Sequence, residues 1–423
     1  MKSEGYIKRL CDKELSDSLS VTGAVLIEGA KWCGKTSTGE RAAGSVLYMQ
    51  DPDVRASNLA LADTKPSLLL RGAAPRLIDE WQMAPVLWDA VRYEVDRRSE
   101  FGQFILTGSA VPVDGATAHS GTGRIVRLRM RTMSLLESGE SSGGISLGKL
   151  FDGSQSEDGA RSELGVEAFA HVICRGGWPA SLRLPERSAL RLAADYVESV
   201  IQHDVSEVSQ AEKNPERVRL LLRSLARNIS TIANHATLIR DVEATDLGFS
   251  DKTVSSYLNA LQRIFVLEDL PAWMPSLRSK TAIRTSAKRH FVDPSIATAV
   301  LRANPEALLR DFNTFGFLFE SLCVRDARIY AQHIDGDVFH YRDKTGLEAD
   351  LIIRLRDGRW GAVEVKLGHS QIDAAAKTLL NLKERIDLTK MGAPSFLMIL
   401  TAGEYAYKRP DGVWVVPLGC LGV

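Results

Sequence analysis

The residues that most constrain this chain are Gly29, Ala30, Lys31, Trp32, Cys33, Gly34, Lys35 and Thr36. They fit the pattern GxxxxGK[ST], directly behind the apolar run AVLIE at 24–28 and ahead of a predicted helix. The spacing has a mechanical cause. Glycines let backbone N–H groups turn inward around phosphate oxygens, and the helix N-terminus adds further donors. Lys35 then neutralises the outer phosphates, and the Thr36 hydroxyl, with Ser37 next to it, faces a magnesium ion. The pattern therefore predicts a bound nucleoside triphosphate, ATP, with Mg²⁺.

Two further apolar runs follow, RLIDE at 76–80 and QFILTGS at 103–109, separated by helical stretches. Three buried-looking strands in that order predict a parallel α/β sheet. At the end of the second strand Asp79 can hold the Mg²⁺ shell while Glu80 orients and deprotonates water. The third ends in Thr107, Gly108 and Ser109, whose hydroxyls either reach the γ-phosphate or attacking water, or form a simple turn. Arg124 precedes another β-like run; it is either a surface arginine or a finger that reaches a neighbouring subunit's phosphates.

At roughly 150 residues per domain, 423 residues make several domains. Lys+Arg and Asp+Glu both number 53, so any nucleic-acid contact must come from a local patch. Cysteines at 11, 33, 174, 323 and 420 form no CxxC pair, which argues against a zinc site or a disulfide framework and fits a reducing cytoplasm. The charged N-terminus does not read as a signal peptide, and no apolar run reaches the roughly 18 residues needed to span a bilayer. The expectation is a cytoplasmic protein without a membrane partner.

The Gly-, Ser- and acid-rich stretch from Glu137 to about Gly165 reads as a solvent-exposed connection with little core of its own. The segments GAKWCGKTS, PRLIDEWQ, FILTGS, SGTGRIVRLRMRTMSLLESGESSG and RGGWPASL resemble the bacterial AAA+-type ATPases that carry a C-terminal domain of unknown function. This resemblance covers nearly the whole chain. It implies an ATPase core, a helical lid, a winged helix and a nuclease-like C-terminal domain, and it favours Arg124 as a trans-acting finger, hence a homo-oligomer. The domains are expected at 1–150, 151–213, 214–290 and 291–423.

Three amphipathic stretches within Asn214–His290, ERVRLLLRSLARNIS, HATLIRDVEAT and DKTVSSYLNALQRI, then the β-looking FVLEDLPAW, give the outline of a winged helix from the residues themselves. Residues 214–290 hold twelve Lys/Arg against seven acids, and Arg278, Lys280, Arg284, Lys288 and Arg289 lie in a stretch without acids. Such a wing suits contact with DNA phosphates; the plainer alternative is a solvated basic hairpin. Thr253, Ser255, Ser256 and Asn259 would be offered by the third helix, and Tyr257 is core or contact.

In the last domain, Asp350 opens the strand ADLIIRL, a turn at Asp357 and Gly358 reverses the chain, and GAVEVKL returns with Glu364 and Lys366 on one face. Two carboxylates and a lysine could support metal-assisted phosphodiester hydrolysis, with Glu320 from a preceding helix completing the ligands. This D…ExK arrangement resembles the restriction-endonuclease-like nucleases, particularly the junction-resolving kind. The same fold also serves as a non-cleaving scaffold for DNA or protein. The expected architecture is thus multidomain α/β: a P-loop AAA+-type parallel sheet with a helical lid, a winged helix, and a restriction-endonuclease-like α/β domain.

Overall fold

The computed structural model describes residues 5–110, 121–157, 159–209, 213–243, 249–275 and 286–423. The chain divides into two compact units. The first comprises Met1–Thr132, His203–Lys213 and Asn259–Val266; the second comprises Met133–Gln202, Asn214–Leu258 and Leu267–Val423.

The first unit is built on five parallel strands, β1 (Ala24–Glu28), β2 (Ser45–Tyr48), β3 (Arg76–Asp79), β4 (Phe104–Gly108) and β5 (Ile125–Arg129), in the order β2-β3-β4-β1-β5. Period-two alternation splits each strand between two apolar layers. Ala24, Leu26, Ile78, Phe104 and Leu106 pack with Leu87, Trp88 and Val91 of the helix Val86–Arg98. Val25, Ile27, Leu77 and Ile105 pack on the other side with Leu15, Leu128 and Met130. Burial on both faces is why β1 and β4 read as unbroken apolar runs. Because every pair is parallel, Glu28, Asp79, Gly108 and Arg129 all end at one sheet edge.

The second unit contains a seven-stranded mixed sheet. Its strands are β7 (Ala160–Arg161), β8 (Gly336–Arg342), β9 (Glu348–Leu355), β10 (Trp360–Lys366), β11 (Leu397–Thr401), β12 (Tyr405–Lys408) and β13 (Trp414–Pro417). The order is β7-β12-β13-β11-β10-β9-β8. β9 and β10 form the antiparallel hairpin expected around Asp357 and Gly358, whereas β10 and β11 run parallel. The helix Ile372–Arg385 links these last two and buries Ile372, Ala375, Leu379 and Leu382 against Ile352, Trp360, Ala362 and Ile399.

One expectation fails here. The stretch 137–165 is built into the second unit and is not an exposed connection. Ile145, Leu147, Leu150 and Phe151 are buried, and the Ser141 hydroxyl donates to the Leu421 carbonyl at 2.7 Å. β6 (Ile145–Ser146) pairs with β14 (Leu421–Gly422), and β7 joins the large sheet through β12. Glycine and serine between the apolar positions masked a pattern that only pairing with distant strands completes. The GGWPAS segment is likewise structural. A Cβ on Gly177 would stand 2.1 Å from the Met133 carbonyl oxygen, and the Trp178 indole N–H donates to the Ser295 hydroxyl.

His340 on β8 is fully buried, with its ring Nε2 3.1 Å from the Ser286 carbonyl oxygen. Burial, then the nearby Lys288 ammonium, lowers its pKa to about 4. A histidine depressed in this way supports the fold above its unfolded pKa and withdraws that support as pH falls through the folded value. The His340 contribution should therefore fade between pH 6.5 and 4, by about 3 kcal/mol at full effect. Thermal melts of wild type and His340→Gln across that window check this. The difference isolates the histidine from Glu320 and Glu364, whose raised pKa values work in the opposite direction.

Candidate functional site

At the C-terminal edge of the first sheet, β1 runs into the loop Gly29–Gly34 and the helix Lys35–Ala42. Gly34 takes φ +106° as the residue preceding that helix, a conformation only glycine adopts without strain. Cys33 is buried in the apolar layer with its thiol donating to the Met130 carbonyl at 3.7 Å, while Trp32 is exposed. Lys35 is buried, and its Nζ donates to the carbonyls of Gly29 (2.9 Å) and Ala30 (2.8 Å). The lysine is folded onto its own loop. Ser37 is exposed in the helix's first turn, and Lys31 is held at 2.7 Å by the buried Asp204 carboxylate.

Thr36 and Asp79 meet as the motif requires. The Thr36 hydroxyl donates to Asp79 Oδ1 at 2.8 Å, Thr107 donates to the same oxygen at 2.6 Å, and Gln50 reaches Oδ2 at 3.2 Å. Burial raises the Asp79 pKa, and the charge of Glu80 adds to this, against the two hydroxyl hydrogen bonds and Lys35. Glu80 follows in a left-handed backbone conformation, and its N–H donates to the Thr107 hydroxyl. Its carboxylate accepts from the Ser109 hydroxyl at 3.0 Å and from the Gln82 amide. The hydroxyls of Thr107 and Ser109 thus serve the two acids, not a free turn.

Arg124 sits at the other end of the sheet. Its carbonyl accepts from Ala24 N–H where β1 begins, and its exposed guanidinium pairs with Asp96 at 2.9 Å. It cannot serve the P-loop of its own sheet edge. A residue with no motif around it, Arg9, proves central. It is buried, and it donates to the Cys33 carbonyl at 2.8 Å and to the Arg131 carbonyl at 2.9 Å, tying the N-terminal segment to the loop.

In the second unit, Glu320, Asp350, Glu364 and Lys366 gather as the sequence predicts, but with a fifth member. The five side chains form a line of alternating charge. Glu364 meets Lys366 at 2.7 Å, Lys366 meets Asp350 at 3.3 Å, Asp350 meets Lys288 at 3.3 Å, and Lys288 meets Glu320 at 2.8 Å. Asp350 Oδ2 also accepts from the Val365 N–H. Burial raises Glu320 to about 7, and burial with the neighbouring Asp350 charge raises Glu364. Burial alone would lower Lys288, but the carboxylates of Glu320 and Asp350 outweigh it and raise its pKa. Among the described residues, no group of three or more acidic, histidine or cysteine side chains stands ready to hold a metal ion.

Two of the basic residues expected on a DNA-facing wing have other duties. Lys288 is buried in this cluster, and Arg289 pairs with Asp269 while donating to the Ala233 carbonyl. Arg278, Lys280 and Arg284 lie outside the described residues. Tyr257 is core, its ring against Phe249 and its hydroxyl accepting from Asn214 N–H. Ser256 and Asn259 are exposed and Ser255 is half-buried, while Thr253 shares a hydrogen bond with Ser250. No helix among the described residues is long and apolar enough to cross a membrane.

Residues 21–138 match the family described as AAA domain, 166–307 a domain of unknown function (DUF8612), and 315–421 another (DUF4143). The uncharacterized proteins Rv2008c of Mycobacterium tuberculosis and Mb2031c of Mycobacterium bovis are each 22% identical over 401 residues, spanning 93% of this chain and 79% of theirs. Among solved structures, a Walker-type ATPase of Pyrococcus abyssi is similar with a TM-score of 0.45 and 12% identity, over 71% of this chain and 97% of that one. The sheet, the loop and the family match make the N-terminal domain a P-loop NTPase domain of AAA type, followed in this chain by a C-terminal domain of unknown function.

Proposed function

We propose that this chain is an ATP-hydrolysing protein of AAA+ type that engages DNA through a winged helix and its last domain. The observation that carries the first half is the Thr36–Asp79 hydrogen bond beside Glu80, at the edge where the P-loop opens. A hydroxyl and a buried carboxylate are the oxygen donors Mg²⁺ prefers, so Thr36 and Asp79 fit as its protein contacts. Mg²⁺ bound there would draw charge from the outer phosphates. Lys35 leaves the Gly29 and Ala30 carbonyls to meet the incoming triphosphate, with the N–H groups of residues 29–37 around it. Glu80, steadied by Ser109 and Gln82, orients the attacking water and takes its proton. Arg124, exposed and remote from its own loop, would act only across an interface, which makes the active form a homo-oligomer. Five scattered cysteines with no CxxC pair favour a reducing cytoplasm.

The DNA-binding half rests on the helices Pro215–Arg227, His235–Glu243 and Asp251–Arg263, followed by antiparallel bridges at Leu267–Phe291 and Leu270–Lys288. This order supports a winged helix, and in the sequence Arg278, Lys280 and Arg284 follow Leu270 and precede Lys288. The strand–helix order of the last domain supports a restriction-endonuclease-like scaffold, with a non-cleaving role favoured over cleavage by Lys288 within the acids. Fluorescence anisotropy with labelled duplex DNA across a salt series tests the binding. Changing Arg278, Lys280 and Arg284 to glutamine should weaken binding across sequences and reduce the log–log salt slope by about 2.7. An unchanged slope refutes the DNA contact assigned to these residues.

A further inference from the structure

Lys288 has no part in the sequence patterns that mark the C-terminal domain, yet it is the residue that links Glu320 to Asp350. Its burial is nearly complete, at 6% exposure. Its backbone is fixed by reciprocal hydrogen bonds with Leu270, Lys288 N to Leu270 O at 3.0 Å and Leu270 N to Lys288 O at 2.9 Å. The following residue is fixed too. Arg289 N–H donates to the Thr231 carbonyl, its own carbonyl accepts from Ser230 N–H, and its side chain pairs with Asp269. The ammonium is therefore delivered to the acids by a backbone clamped on both sides, not by a side chain lying loosely on the surface.

Two ammonium groups also offset two of the three carboxylate charges without an ion. Three carboxylates alternate with two ammonium groups, and Glu320 joins the line only through Lys288. Mg²⁺ bound between two carboxylates needs their oxygens converging on it at about 2.0–2.1 Å. Here a lysine nitrogen stands at 2.8 Å from one acid and 3.3 Å from the next. Seating a metal between Glu320 and Asp350 would press it against an ammonium whose side chain is only 7% exposed. The acids do not fit the metal that a nuclease of this type uses.

We infer that Lys288 is the resident cation of the carboxylate cluster: its ammonium takes the position a divalent ion would occupy between Glu320 and Asp350, and the cluster is closed to Mg²⁺ and Mn²⁺. The inference is independent of the nucleotide reading, and it decides between the cleaving and non-cleaving readings of the second unit.

The test is calorimetric titration of Mn²⁺ into the full chain without nucleotide, comparing wild type, Asp350→Asn, Lys288→Met and Lys288→Met with Asp350→Asn. The expected result is no Asp350-dependent heat in wild type, a gain of about one Mn²⁺ site in Lys288→Met, and its loss in the double variant. Thermal melts with and without Mn²⁺ give a second reading, and Lys288→Gln a second variant should methionine unfold the unit. Mn²⁺ should raise the melting temperature of the Lys288 variants and leave that of wild type unchanged. Wild-type Mn²⁺ binding that Asp350→Asn removes would overturn the inference, as would folded Lys288 variants that gain neither binding nor stabilisation.

Discussion

Glu80→Gln is expected to lower steady-state ATP turnover by about 10²–10³-fold while leaving ATP affinity nearly unchanged. Glutamine keeps the size and the hydrogen-bonding reach of the side chain. It cannot take the proton from water. The neighbours sharpen the expectation, because Ser109 and Gln82 both hold the Glu80 carboxylate and the Thr107 hydroxyl accepts its backbone N–H. Ser109→Ala leaves the base in place but loosens it, so its loss should be smaller, about tenfold. Turnover in a coupled phosphate-release assay, with nucleotide affinity measured separately, distinguishes these cases. Equal losses in both variants would mean that Ser109 does more than steady the acid. Unchanged turnover in Glu80→Gln would remove Glu80 from the chemistry.

The largest stability effect is expected at Asp293. Its carboxylate is fully buried. It pairs with Arg325 at 3.0 Å, accepts the Gly177 N–H at 3.0 Å, and caps the helix Pro294–Leu301 through the Ser295 N–H. Arg325, itself 3% exposed, turns its other side to Asp326, which in turn accepts the Leu135 N–H. One guanidinium thus organises two carboxylates that fasten the segments near 135 and 177 to the helices Pro294–Leu301 and Phe312–His333. Asp293→Ala removes one of the two buried carboxylates around Arg325 and strands two backbone donors, at a cost of about 3–5 kcal/mol to the second unit. Urea unfolding should show the later-unit transition moved and the other unchanged. Burial would raise the Asp293 pKa, but Arg325 and the hydrogen bonds hold it below its ordinary value. Its contribution is therefore present above the unfolded pKa of 3.8 and is lost in stronger acid.

The parts of this molecule that were legible in the sequence are those whose signal is local. β1, β3 and β4 are buried on both faces and so appear as apolar runs, and the P-loop, Asp79 and Glu80 sit at their ends. β2 escaped because SVLY lies half-exposed at the sheet margin. β12 and β13 were hidden by short length, and β6 and β7 by glycine and serine around them. Site residues divide in the same way. Glu320, Asp350, Glu364 and Lys366 were found from a helix and a hairpin with familiar spacing. Lys288 read as a phosphate-binding wing residue because its partners lie 32 and 62 positions away. Thr107 and Ser109 were placed at the correct edge, but which acid each hydroxyl would serve depends on neighbouring strands. Arg9 carries no sequence signal; only the fold brings it beneath Cys33.

The most direct test is a calorimetric titration of ATP with Mg²⁺ into wild type and Lys35→Ala. Saturable uptake near one nucleotide per chain, weakened by about 100-fold or more when the Lys35 ammonium is removed, is the predicted result. Uptake of equal strength in both proteins, or none in wild type, would contradict the assignment of the Gly29–Thr36 loop as the triphosphate site.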